Sequence, residues 1–173
     1  QFRPSPGNEP LRRVGIKEFG LPWLQAEVGL PFNIDGFIRG ISYQGVTIAG
    51  GGLRWFPFKF ADQPKKPQAL FAAVGHSVAH KDFSASHFGA NVVVSMGVQR
   101  VTPYVGAGLD RTRLVVRAVP ARDAALQGEV VTTTESRFTA GLSVKPNAFT
   151  YLYAAGTYAA KNPGIDFGLG IRY

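Results

Sequence analysis

Cysteine is absent from the chain, which excludes disulfides, thiolate metal sites and a cysteine nucleophile. Methionine occurs once, and long runs of helix-forming residues are missing. Although 45% of the residues are hydrophobic, no apolar stretch approaches the roughly 20 residues that a membrane-spanning helix needs. A helical membrane protein is therefore excluded. What the chain has in quantity is glycine (21), phenylalanine (13) and tyrosine (6), a balance that favours strands and tight turns. The fold class is expected to be all-β.

A length of 173 residues suits one domain with its own core. Residues 1–10, QFRPSPGNEP, are proline-rich and without periodicity, so they read as an extended or disordered leader. The domain is expected to occupy 11–173. The first residues carry no basic, apolar and small-residue segments of a signal peptide, so an exported chain is expected here in its mature form, with the signal peptide removed.

The formal net charge is +8, a balance that raises nucleic acid and anionic membrane surfaces as partners. The cations fall in separate clusters: Arg12, Arg13 and Lys17; Lys59, Lys65 and Lys66; Arg111, Arg113, Arg117 and Arg122. None is interleaved with aromatics as a base-stacking platform requires. No nucleic-acid partner is expected, and lipid phosphate is the expected use of these side chains.

Beyond residue 10 the chain divides into segments with period-two alternation, separated by Pro, Gly, Asn and Asp. In PGIDFGLGIRY, Ile165, Phe167, Leu169, Ile171 and Tyr173 share one face and Gly164, Asp166, Gly168, Gly170 and Arg172 the other. Phe138, Ala140, Leu142 and Val144 alternate with Arg137, Thr139, Gly141 and Ser143, and KPNA then turns the chain into FTYLYAAGTYAA. Phe88 to Met96, Val105 to Leu109 and Leu24 to Leu30 repeat the pattern. Strands are expected near 11–19, 23–31, 35–43, 46–57, 69–79, 86–97, 102–118, 129–145, 149–160 and 163–173. Ten is the preferred count. Eight would follow if 33–45 were a loop or part of one bent strand and 1–22 lay outside the sheet.

A soluble sandwich would need an apolar inner face on each sheet, whereas the second faces here hold Gly, Ser, Thr, Asn and charges. Closing such strands into a barrel satisfies every backbone amide, a requirement in hydrocarbon. The expected architecture is an antiparallel transmembrane up-and-down barrel. Aromatics near strand ends, namely Trp23, Trp55, Phe56, Phe58, Tyr104, Phe149, Tyr151 and Tyr173, are candidates for membrane-interface girdles. The same alternation turns Glu27, Arg54, Asp110, Arg137, Asp166 and Arg172 inward as a candidate lumenal charge network.

The terminal GLGIRY, with alternating apolar residues and a final aromatic, resembles the assembly signal of bacterial outer-membrane barrels. LQAEVGLPFNIDGFIRG, VTIAGGGLRWFPF and VTPYVGAGLD are similar to segments of small outer-membrane barrels of the OmpA/OmpW-like type. The resemblance implies eight to ten antiparallel strands, short periplasmic turns and longer outer loops, in the outer membrane of a bacterium. FKFADQPKKPQ departs from it as a long connection on the expected periplasmic side.

Three histidines, His76, His80 and His87, flank one expected loop with Ser77, Asp82, Ser84 and Ser86 nearby. His76 and His80 share a face with Leu70 and Val78 while Ser77 lies on the other, so no His/Ser pair is expected. These residues lack a metal-ligand spacing, and no metal or cofactor is expected. The triplet Gly50, Gly51 and Gly52 lacks the Lys and Ser/Thr of a phosphate loop and reads as close backbone approach or a bend. VPARDAALQG is the expected recognition loop. The leading expectation is a non-enzymatic structural, adhesive or complex-assembly barrel, with membrane lipid as its surroundings and envelope proteins as partners through its outer loops or leader. A narrow pore or hydrophobic-ligand carrier is the alternative, and a lipid-modifying enzyme or a soluble lipocalin-like barrel stands behind it.

Overall fold

The computed structural model describes residues 22–43, 45–58, 65–117, 127–159 and 162–171. Among them there are nine strands and no helix: β1 Leu24–Leu30, β2 Ile34–Tyr43, β3 Val46–Trp55, β4 Pro67–Ala79, β5 Phe83–Met96, β6 Val101–Val116, β7 Val130–Val144, β8 Thr150–Ala159 and β9 Asn162–Ile171. They form one sheet in sequence order, each antiparallel to the next. The sheet curls, so that side chains from β2 and from β9 line one cavity on its concave side. Nine strands are described against the ten expected, and the expected first strand, 11–19, lies outside the described residues. The eight-strand alternative loses a premise, because 34–43 is a separate strand paired on both sides.

Local chemistry accounts for the reversals. Gly45, at φ 79°, sits in the short turn between Tyr43 and Val46, where a positive φ matches the twist of the flanking strands. In the β7–β8 turn the Asn147 side-chain oxygen accepts hydrogen bonds from the Phe149 and Thr150 amides at 2.9 and 2.8 Å, the self-capping turn that asparagine favours. The expected KPNA reversal is this turn.

The two faces differ sharply in chemistry. Only Phe37, Ile48, Val74 and Ala155 are buried hydrophobics among the described residues, and all four point to the concave side by register. The convex side carries Leu24, Val28, Ile38, Leu53, Phe88, Leu109, Phe138, Leu152, Ile165 and Phe167, all exposed, Phe167 at 80%. Each such side chain forgoes about 2 kcal/mol of burial while it faces water. The hydrophobic surface lies outside and the sheet's modest core inside.

Curvature is accommodated by aromatic rings lying across glycines directly opposite on the next strand. Tyr104 pairs with Gly141, Tyr153 with Gly168, Tyr151 with Gly170 and Phe37 with Gly52. A methyl group at Gly141 would stand 2.6 Å from the Tyr104 ring, and one at Gly168 2.5 Å from the Tyr153 ring. Glycine is needed there because the ring occupies the space of a side chain. We expect Gly141→Val and Gly168→Val each to destabilise the folded protein by about 1–3 kcal/mol through overpacking. Gly164→Ala, where the new methyl meets Thr157 at 3.9 Å, should stay within about 0.5 kcal/mol of wild type. Denaturant unfolding followed by tryptophan fluorescence checks the contrast, and equal effects at the three sites would refute it.

Candidate functional site

The concave face collects the charges. On β1, β2 and β3, the Arg54 guanidinium donates to Glu27 Oε2 at 2.9 Å, and Gln25 also donates to Glu27. Arg54 lies 4.7 Å from the centre of the Phe37 ring, a distance suited to cation–π attraction. Arg39, two residues along β2 from Phe37, donates through Nε to His76 Nε2 at 2.6 Å and lies 5.0 Å over the Trp23 ring. His76 contacts Trp23 and His87, with ring centres 5.8 and 5.6 Å apart.

From His87 the network continues across β5, β6 and β7. Its Nδ1 is 3.0 Å from the Thr112 hydroxyl, and its Nε2 is 3.5 Å from Asp110 Oδ1. Asp110 Oδ2 accepts from Arg137 Nε at 3.2 Å, while Oδ1 is buried without a hydrogen-bond partner. Asp166 on β9 faces the same space within electrostatic range of Arg39, Tyr104 and Tyr153. Between them lies a cavity of about 240 Å³, lined by Arg39, Arg54, Asn91, Tyr104, Arg137 and Asp166 among others. Arg39, Arg54 and Arg137 stand against Glu27, Asp110 and Asp166, so the group is formally neutral.

Comparison with protein families, curated proteins and solved structures gives no match. The site is therefore read from its own chemistry. No group of three His, Asp or Glu among the described residues is arranged to hold a metal ion. Ser77 is paired opposite Ser86 and exposed on the convex face, away from His76. His80 lies in the β4–β5 turn, 3.6 Å from Asp82, outside the concave network. The group combines two ion pairs, Glu27–Arg54 and Asp110–Arg137, with ring contacts, a construction that fills space and holds strands in register.

Of the residues read as lumenal, Glu27, Arg54, Asp110, Arg137 and Asp166 all project to the concave side, and two pairs of them touch. Arg172 lies outside the described residues. The aromatics read as an interfacial girdle divide. Trp55 is on the convex face, 5.7 Å from Phe71, and Phe149 is exposed in the β7–β8 turn. Trp23, Tyr104 and Tyr151 instead face the concave side, against Arg39, Gly141 and Gly170 respectively. That corrects their expected face. Strand parity was the signal available, since Tyr104 shares the face of Gly106, Gly108 and Asp110. Tyr173 lies outside the described residues, as do the central residues of VPARDAALQG. The triplet Gly50–Gly52 runs through the middle of β3, where methyl groups would strike the neighbouring strands, so close backbone approach is its role. Sequence reading missed Arg39, Phe37 and Tyr153, whose importance depends on what faces them across the curl.

Asp110 is only 12% exposed and Arg137 is its cation. Arg137→Ala leaves that carboxylate without its counter-charge and should destabilise by about 3–5 kcal/mol. Removing both partners as Arg137→Met with Asp110→Leu should restore much of the loss. Arg54→Ala, breaking the more exposed pair with Glu27, should cost no more than about 1 kcal/mol. Equilibrium unfolding of the three variants checks the ranking, and a double variant no better than Arg137→Ala would contradict it.

Proposed function

We propose that this chain is a small bacterial outer-membrane β-barrel with a non-enzymatic structural, adhesive or complex-assembly role. The observation that carries the reading is the division of faces: large apolar side chains stand exposed on the convex face of the sheet, while the acids, the histidines and all but two of the arginines within the strands turn to the concave one. That arrangement suits hydrocarbon outside and polar contacts inside. In water it would leave an extensive apolar surface uncovered.

The strand directions bear on closure. With nine antiparallel strands, β1 and β9 run the same way, so pairing them directly would make a parallel seam. An antiparallel barrel needs one further strand between them, which would give the even count usual in bacterial single-chain barrels. The start of the first barrel strand and the end of the last would then lie on the same, periplasmic, side.

The non-enzymatic part of the reading rests on the interior charges being engaged with one another rather than left poised around a nucleophile. The concave cavity of about 240 Å³ favours a second reading, a narrow pore. A barrel of this size is ordinarily filled by its own side chains, and the neutral network supports that outcome.

The deciding experiment is the gel mobility of detergent-extracted protein with and without boiling, together with fractionation of cell envelopes. A heat-dependent shift and recovery with outer membranes are expected. A soluble protein without a shift would overturn the reading. In planar bilayers no sustained conductance is expected; steady single-channel currents altered by Arg54→Ala would instead establish the pore.

A further inference from the structure

Arg111 and Arg113 stand apart from the other strand charges. Both lie on the face of β6 that carries Val105, Ala107 and Leu109, and both are exposed. Following the register from β1 to β9, they are the only charged side chains on the convex face of the described strands. Among the described residues neither takes part in an ion pair. Alternate strand residues project on one side about 7 Å apart, so the two guanidiniums form a pair rather than isolated charges.

Their surroundings are specific. Arg113 pairs across the sheet with Ser86 on β5 and Thr132 on β7, and Arg111 with Thr134 on β7, which sets hydroxyls beside both cations on the same face. One step down β6 from Arg111 on that face, Leu109 forms part of the wall of an apolar groove of about 720 Å³. Its floor is Ala73 and Ala90, directly paired, and its other walls include Leu53, Phe71 and Phe138. A cationic, hydroxyl-bearing patch thus adjoins an apolar channel on one continuous surface.

We propose that this surface binds a phosphate-bearing lipid, with the phosphate held by Arg111 and Arg113 and an acyl chain seated in the groove over Ala73 and Ala90. Guanidinium forks match phosphate oxygens in bidentate geometry, and the hydroxyls of Ser86, Thr132 and Thr134 supply further donors. The groove selects a lipid over free phosphate, because its walls offer an acyl chain apolar contact that an inorganic ion cannot use. The proposal rests on the membrane reading above and deepens it by assigning one lipid class to one place on the barrel wall.

The test uses full-length protein folded in detergent and mixed with phosphatidic acid or with phosphatidylcholine, bound lipid being counted by native mass spectrometry. Wild type should retain phosphatidic acid in preference to phosphatidylcholine. Arg111→Gln with Arg113→Gln should weaken phosphatidic acid binding about thirtyfold, and Arg111→Lys with Arg113→Lys, which keeps the charge but loses the fork, should fall between that variant and wild type. Ala90→Phe, which fills the groove floor with both arginines intact, should also reduce retention. Equal retention of the two lipids by wild type, or undiminished retention by the glutamine variant, overturns the site. The same samples are run with and without boiling. A heat-shifted wild type without lipid preference sinks the lipid site alone, whereas a wild type that shows no shift sinks the membrane reading and the site with it.

Discussion

A single sheet with no second layer to cover it must satisfy two environments from the same strands, and the period of two along each strand is the only means it has. Here that constraint is met by turning Leu, Ile, Val and Phe to the convex side and charged or small residues to the concave side. Everything inside depends on it. Once the apolar residues point outward, the interior cannot be held by hydrophobic burial alone, and among the described residues only Phe37, Ile48, Val74 and Ala155 are buried hydrophobics there. The remaining cohesion comes from the backbone ladder, the ion pairs Glu27–Arg54 and Asp110–Arg137, and rings seated on glycines.

The glycines and the charges solve one problem together. A tightly curled sheet brings concave side chains towards one another, so bulk on every strand would crowd the interior. Glycine opposite Tyr104, Tyr153, Tyr151 and Phe37 removes one side chain from each contact and lets the ring lie flat across the neighbouring strand. The space left is small, and charges confined to it must be paired because unpaired ions lose their hydration. Arg39 shows how the parts interlock: one guanidinium lies over Trp23, donates to His76 and faces Asp166 across the cavity. Among the described residues the one buried side-chain acceptor left without a partner, Asp110 Oδ1, lies beside His87, so the network is most exposed to perturbation at β5 and β6.

Against that background Arg111 and Arg113 are the exception to the rule of faces, since the remaining strand charges turn inward. If that face meets lipid, as proposed, a charge left on it is favourable only where something outside the protein compensates it. Their position beside hydroxyls and above an alanine-floored groove gives that compensation a definite chemistry, and links the basic composition of the chain to its surface.

The strand alternation, the all-β class, the KPNA turn and the inward direction of Glu27, Arg54, Asp110, Arg137 and Asp166 were legible in the sequence, because side-chain direction in a strand is a local property repeating every two residues. Parity applied strictly would also have placed Tyr104 and Tyr151 inside; reading them as strand-end aromatics gave weight to residue type over position. What no local rule contains is which residues meet across the curl. That Arg39 finds His76, that Asp110 is shared between His87 and Arg137, and that Asp166 on β9 faces Arg39 on β2 depend on register and curvature accumulated over many strands. Sequence by itself determined the two faces; the tertiary structure alone decided the partners, because a contact between distant strands is set by the curvature of the whole sheet and by no single segment of it.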